Sequence, residues 1–147
     1  MAVSTRLLEE KDFSQINHLL QLYYELGYPT TSERLITRLS KIINNKDYYL
    51  LLLLEKGKII GFSGMCKMLF YEKDGEYMRI LAFVINSKFR SRGYGKKLLT
   101  DSEELARSLN CKVITLNSGN RNERVIAHKL YMNSGYTSNT IGFSKDL

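Results

Sequence analysis

Residues Arg90-Ser91-Arg92-Gly93-Tyr94-Gly95 bring cations and glycines together in one short run. Glycine lets a backbone turn through left-handed conformations and lets a ligand approach it closely. The run follows an apolar stretch, Leu81–Ile85, and precedes KKLLTDSEELARSL, in which Leu98, Ser102, Leu105 and Leu109 fall at helical spacing. Read in order this is strand, glycine turn, helix. A helix start leaves amide N–H groups without intrahelical partners and carries partial positive charge. It is therefore a natural seat for an anion, and phosphate is the usual occupant. Lys88, Arg90, Arg92, Lys96 and Lys97 form the one dense basic group in a chain of net charge +7. A phosphate-rich ligand accounts for that group without a nucleic-acid partner.

The glycine turn lacks the G-x-x-x-x-G-K-[ST] order of a P-loop. It is not the dinucleotide fingerprint G-x-G-x-x-G either, because position 98 is Leu98 and no βαβ unit opens the chain.

The elements that must position this turn follow from periodicity. Ser4–Leu8 reads as a first strand. Asp12–Leu26 carries Ile16, Leu19, Leu20 and Tyr23 on one helical face, and Gly27 with Pro29 stops it. Thr31 or Ser32 can cap a second helix with Leu35, Leu39, Ile42 and Ile43 inward. Tyr48–Leu54 is apolar on both faces and is expected as a central strand. Ile59–Phe70 is a further strand, with Gly61 and Gly64 marking a bulge or close packing. Asp74-Gly75 signals a hairpin into Glu76–Ile85, the strand that delivers the turn. The spacing then predicts a helix over 93–109, a strand Val113–Leu116, a helix Asn122–Ser134, and closing strands Tyr136–Ser138 and Ile141–Ser144. The expected fold is a mixed α/β single domain over 1–147, with helices on both faces of the sheet. The strands flanking the 93–109 helix are expected to run parallel through a right-handed crossover.

Composition bounds the function. A chain of 147 residues with 44% hydrophobic and 25% charged residues is ordinary for a globular domain with a real core. Met1–Glu10 has no apolar leader core, and Tyr48–Leu54 is too short to cross a bilayer. A cytoplasmic place with no membrane partner is the expectation. Cys66 and Cys111 lack ligand spacing, so free thiols and no metal are expected.

The turn resembles the pyrophosphate loop of the GNAT superfamily (Gcn5-related N-acetyltransferases), [RQ]-x-x-G-x-[GA], matched by Arg90, Gly93 and Gly95. Phe83-Val84-Ile85-Asn86-Ser87 stands where that family's strand ends. Downstream, Ala127-His128-Lys129-Leu130-Tyr131-Met132-Asn133-Ser134-Gly135-Tyr136 matches the family's A-x-x-[FL]-Y-x-x-x-G-[FY]. The resemblance implies a mostly antiparallel sheet with one splayed parallel strand pair. It implies acetyl-CoA as co-substrate, with its pyrophosphate on the amides of residues 91–96 and with Arg90, Ser91, Arg92, Gly93, Tyr94, Gly95 and Lys96 around it. It implies that Phe83, Val84 and Ile85 offer backbone groups to the pantetheine arm. An amide aimed at the thioester oxygen would stabilise the charge that develops there.

Tyr131 matches the family's frequent general acid. A phenol with a pKa of about 10 can protonate a thiolate of comparable basicity. No carboxylate stands at Leu81, Ala82 or Phe83, where many members keep a general base; Glu72 and Glu76 lie earlier. Histidine is a residue type that can shuttle protons, which makes His128 a candidate, though 128 and 131 share a face only loosely. Leu116, Ser118, Gly119, the Ala127-His128…Tyr131 pattern and the closing Phe143, Lys145 and Leu147 are similar to a small-molecule branch that includes aminoalkylphosphonate N-acetyltransferase. Arg79, Arg121 and Arg124 would favour an anionic acceptor, and Tyr23, Tyr24 and Tyr28 can wall its pocket. The implied function is acetyl transfer to a primary amine of a small molecule. The alternatives are a catalytically idle CoA-binding or basic-surface module and a protein N-acetyltransferase. A homodimer, in contact through the last two strands, is a further expectation.

Overall fold

The apolar run at 48–54 sits inside the sheet, as its two-faced burial requires. Leu50, Leu52 and Leu54 pack with the helices that precede them, and Leu51 and Leu53 are buried on the opposite face. The computed structural model describes residues 3–118 and 125–147. It divides into two compact units, Met1–Thr115 and Leu116–Leu147.

The first unit carries β1 (Val3–Leu7), a 3-10 turn (Glu10–Gln15), α1 (Ile16–Leu26), α2 (Ser32–Ile43), β2 (Tyr48–Glu55), β3 (Lys58–Leu69), β4 (Glu76–Ile85), a second 3-10 turn (Ser87–Phe89) and α3 (Tyr94–Ser108). β5 (Cys111–Leu116) completes the sheet, whose order is β1-β2-β3-β4-β5. The first four strands pair antiparallel, and β4 and β5 run parallel, joined through α3. This is the mixed sheet expected from the element order.

Cross-strand partners share a face. Leu52, Phe62 and Val84 are in register and face α1 and α2, where Leu19, Leu22, Leu35 and Leu39 complete a core. Thr5, Leu53, Gly61 and Ile85 are in register on the other face. There Thr5 Oγ1 donates to Asp101 of α3 at 2.7 Å. Helices therefore cover both faces. Each helix shows its cause locally. Thr31 accepts from the Arg34 amide to cap α2, and left-handed Gly27 ends α1.

Gly61 is required by packing rather than by a turn. A Cβ there would meet the Val84 carbonyl oxygen at 2.8 Å. The register slips at Leu53/Leu54 and again at Gly64/Met65. The second slip leaves Leu81 as the extra residue of β4, between Ile80 and Ala82. A bulge of this kind bends and twists its strand.

Three expectations need adjustment. The helix expected from Asp12 opens as the 3-10 turn, because Asp12 is drawn inward by Arg6, whose Nη2 donates to it at 2.6 Å. The hairpin at Asp74-Gly75 is a longer loop spanning 70–75, closed by the Phe70 amide on the Gly75 carbonyl at 3.3 Å. The closing strands at 136–138 and 141–144 are not formed, and residues 136–147 carry no regular structure. A strand exists only with a ladder partner. Here the Tyr136 amide is instead spent on the Tyr131 carbonyl, closing the end of a helix.

The second unit contains that helix, α4 (Val125–Asn133), ended by Gly135 at φ +90°. Its expected start at Asn122, with Arg121 and Arg124, lies outside the described residues. Among the described residues no helix is long and apolar enough to cross a membrane, and no cluster of three or more metal-ligating side chains occurs.

Candidate active site

β4 ends at Ile85, and the chain then makes one 3-10 turn before the glycines. Asn86 fixes the exit: its amide donates to the Ile60 carbonyl at 2.7 Å, and its side chain accepts from the Lys88 amide at 3.0 Å. The sequence then passes through Ser91 at φ +63° and Gly93 at φ +79°, both left-handed. Left-handed residues set among ordinary ones turn successive N–H groups toward one side, the backbone form of an anion cradle. Gly93 is the N-cap of α3 and offers no side-chain cap, and a Cβ placed on it would meet nothing within 4 Å. The space beside the helix start is open to a ligand.

The first turn of α3 contains no acid. It carries Lys96 and Lys97 instead, at the positive end of the helix dipole. Cations there cost about 0.3–1 kcal/mol each unless an anion sits among them. Lys97 is paired with Asp101 at 3.0 Å. Lys88 and Lys96 are exposed, and among the described residues neither has an ion-pair partner. Arg92 lies over the Phe89 ring at 5.2 Å and reaches Glu55 at 4.0 Å. The Tyr94 hydroxyl donates to Glu55 Oε2 at 2.5 Å, and this bond to a carboxylate raises the Tyr94 pKa above its ordinary value.

Arg90 is engaged differently from the expectation of a phosphate contact. Its Nε donates to the Ile85 carbonyl at 3.1 Å and its Nη2 to Glu25 Oε1 at 3.1 Å. Its side chain braces the turn, and the Ile85 carbonyl already holds one bond. Phe83 and Val84 pair with Ser63 and Phe62 of β3, so the other edge of β4 faces β5.

Glu25 and Glu55 were not legible as site residues. Each lies far along the chain from its partners, Glu25 on α1 and Glu55 at the end of β2. No local pattern links them to the turn. The sheet and its covering helix bring them there.

The remaining residues belong to the second unit and are placed only within it. Tyr131 is half-buried on α4, its ring 6.2 Å from that of Tyr136. His128 Nε2 is 3.1 Å from Ser118 Oγ. In the first unit Tyr23 packs its ring on Phe62 at 5.5 Å and stacks under Arg38, so it is a core residue rather than a pocket wall. Tyr24 and Tyr28 are exposed. An open groove of about 770 Å³ runs along α2, lined by Thr31, Glu33, Arg34, Thr37, Arg38 and Lys41. It includes none of the glycine-turn residues.

Known proteins resemble the chain over nearly its whole length. A Staphylococcus aureus protein described as a GNAT family acetyltransferase superposes with a TM-score of 0.89, at 58% identity and with both chains fully covered. The Bacillus subtilis protein YhdJ, named an uncharacterized N-acetyltransferase, is 31% identical over 122 residues, 82% of this chain and 84% of that one. An aminoglycoside acetyltransferase from a soil metagenome, solved with sisomicin, shares the fold with a TM-score of 0.81 at 17% identity, covering 99% and 97% of the two chains. Residues 13–136 match the model of the acetyltransferase (GNAT) family, a span that includes the glycine turn and α4. With β4, the turn and α3 arranged as described, the chain is a member of the GNAT family of acetyltransferases, and the enzyme is an acyltransferase.

Proposed function

We propose that the enzyme moves the acetyl group of acetyl-CoA to a primary amine of a small molecule. The observation that carries this is the start of α3. Open space beside left-handed Gly93 meets amides that helix geometry leaves unpaired, next to Lys96, which has no ion-pair partner among the described residues. The residues present fit a pyrophosphate. Amides of residues 91–96 would hold it, and Arg92 and Lys96 would add charge-assisted contacts. Phe83, Val84 and Ile85 would align the arm of the co-substrate along β4. Tyr94 and Arg90 would shape the turn through Glu55 and Glu25.

Bound acetyl-CoA supplies the acetyl group as a thioester and a thiolate leaving group. The chain's part is to hold that end still and to return a proton to sulfur. Tyr131 Oη is the proposed proton donor, since a phenol and a thiolate are closely matched in basicity. The acceptor must reach the site as a neutral amine. The support for a small acceptor is the similarity of the Ala127-His128…Tyr131 segment to small-molecule acetyltransferases, beside a fold shared with an aminoglycoside acetyltransferase.

Calorimetry with acetyl-CoA tests the co-substrate: binding at submillimolar concentration is expected, and its absence would refute the proposal. A panel of amino acids, polyamines, aminophosphonates, amino sugars and aminoglycosides, read by thiol release, tests the acceptor. Acetyl transfer only to proteins in a lysate would refute the small-molecule part.

A further inference from the structure

Glu25 occupies a place that helix electrostatics disfavours. It lies in the last turn of α1, where the dipole repels a carboxylate, and its side chain is only 9% exposed. Its two oxygens are nevertheless fully used. Oε2 accepts from Gln21 Nε2 at 3.2 Å. Oε1 accepts from the Ser87 amide at 2.8 Å and from Arg90 Nη2 at 3.1 Å. Ser87 and Arg90 bracket the 3-10 turn between β4 and the glycines. One carboxylate oxygen therefore clasps both ends of that turn. Arg90 passes the restraint back to β4 through Nε on the Ile85 carbonyl at 3.1 Å.

We propose that Glu25 is the positioning residue of the phosphate turn, acting through Ser87 and Arg90 to hold residues 87–93 in the shape that receives the co-substrate. This rests on the reading of acetyl-CoA at the turn. It gives the motif arginine a job inside the protein and links the helix that ends at the Gly27–Thr30 loop to the phosphate turn.

Two measurements separate this proposal from that reading. The first is hydrogen exchange of the ligand-free protein. Removing the clasp should raise exchange across residues 86–92 by at least about tenfold in Glu25→Ala, since a bond to a charged group contributes about tenfold or more in equilibrium. Exchange in the β2–β3 sheet core should stay unchanged. The second is steady-state kinetics. Glu25→Ala should raise the KM for acetyl-CoA about tenfold to a hundredfold while kcat and the acceptor KM stay within about twofold. Glu25→Gln keeps an oxygen for the Ser87 amide and loses the charge facing Arg90, so it should fall between the two and fold where Glu25→Ala does not. Combining Glu25→Ala with Arg90→Ala should add little to either alone. Unchanged exchange over 86–92 overturns the proposal whatever the ligand, and so does a loss confined to kcat or full additivity with Arg90→Ala. Wild-type protein that binds no acetyl-CoA overturns the co-substrate reading instead, and the exchange experiment still decides whether Glu25 holds the turn.

Discussion

Gly93→Ala, paired with Gly57→Ala, separates backbone strain from ligand contact. Both glycines are left-handed, Gly93 at φ +79° and Gly57 at φ +82°, and a Cβ on either would meet no protein atom within 4 Å. Packing terms are therefore equal, and close to nothing. What remains is the left-handed penalty of about 1–2 kcal/mol for an L-residue, offset by about 0.4–1 kcal/mol because alanine restricts the unfolded chain. Each variant should lose roughly 1 kcal/mol, a fall in Tm of about 3 °C for a chain of this size. Their binding should differ. Gly57 ends the two-residue turn between β2 and β3, whereas Gly93 opens α3 beside the unpaired amides. Only the Gly93 methyl intrudes where phosphate would approach, so acetyl-CoA should bind Gly93→Ala at least about tenfold more weakly, which is about 1.4 kcal/mol. Scanning calorimetry gives the first quantity and titration calorimetry the second. Wild-type affinity in Gly93→Ala, or an equal loss in Gly57→Ala, would refute the assignment of the turn.

Other outcomes follow from the same structure. Tyr131→Phe should lower kcat by about a hundredfold or more and leave acetyl-CoA affinity within about twofold; an unchanged rate removes its role as the acid. Leu52→Ala, at a fully buried position of β2, should cost about 3 kcal/mol in denaturant titration. Asp12→Asn should cost about 2–3 kcal/mol at neutral pH, because it removes the buried charge of the pair and leaves Arg6 only the longer, more exposed contact to Glu9 at 3.5 Å. The hydrogen bond and charge of Arg6 hold the Asp12 carboxyl below its ordinary 3.8. Its contribution is therefore complete above about pH 5 and is lost as pH falls through the depressed folded value. The stability gap between wild type and Asp12→Asn should close in that acid range, and a gap independent of pH would count against the ion pair as its source.

Legibility in the sequence followed the range of the interactions. α2 was readable because Thr31, Leu35 and Leu39 are all local signals, and the structure uses each. Gly61 announced close approach, and the Val84 carbonyl is what approaches. The strand–turn–helix at 85–94 was legible because its glycines and basic residues are contiguous. The strands expected at 136–138 and 141–144 are absent because local residue types show only that a segment could pair. The bracing role of Arg90 was not legible because its partners, Glu25 and the Ile85 carbonyl, meet it only in the fold.

The sequence by itself determined the family, the element order from β1 to α4 and the place of the glycine turn. These rest on periodicity, glycine conformations and contiguous motif residues, all of which act over a few positions. Only the tertiary structure decided which polar groups around that turn are spent on protein partners. Glu25 takes Arg90, and Glu55 takes the Tyr94 hydroxyl and reaches Arg92, while among the described residues Lys88 and Lys96 have no ion-pair partner. Ion pairs form by distance in space, and the sheet sets those distances by laying α1, the end of β2 and the glycine turn side by side.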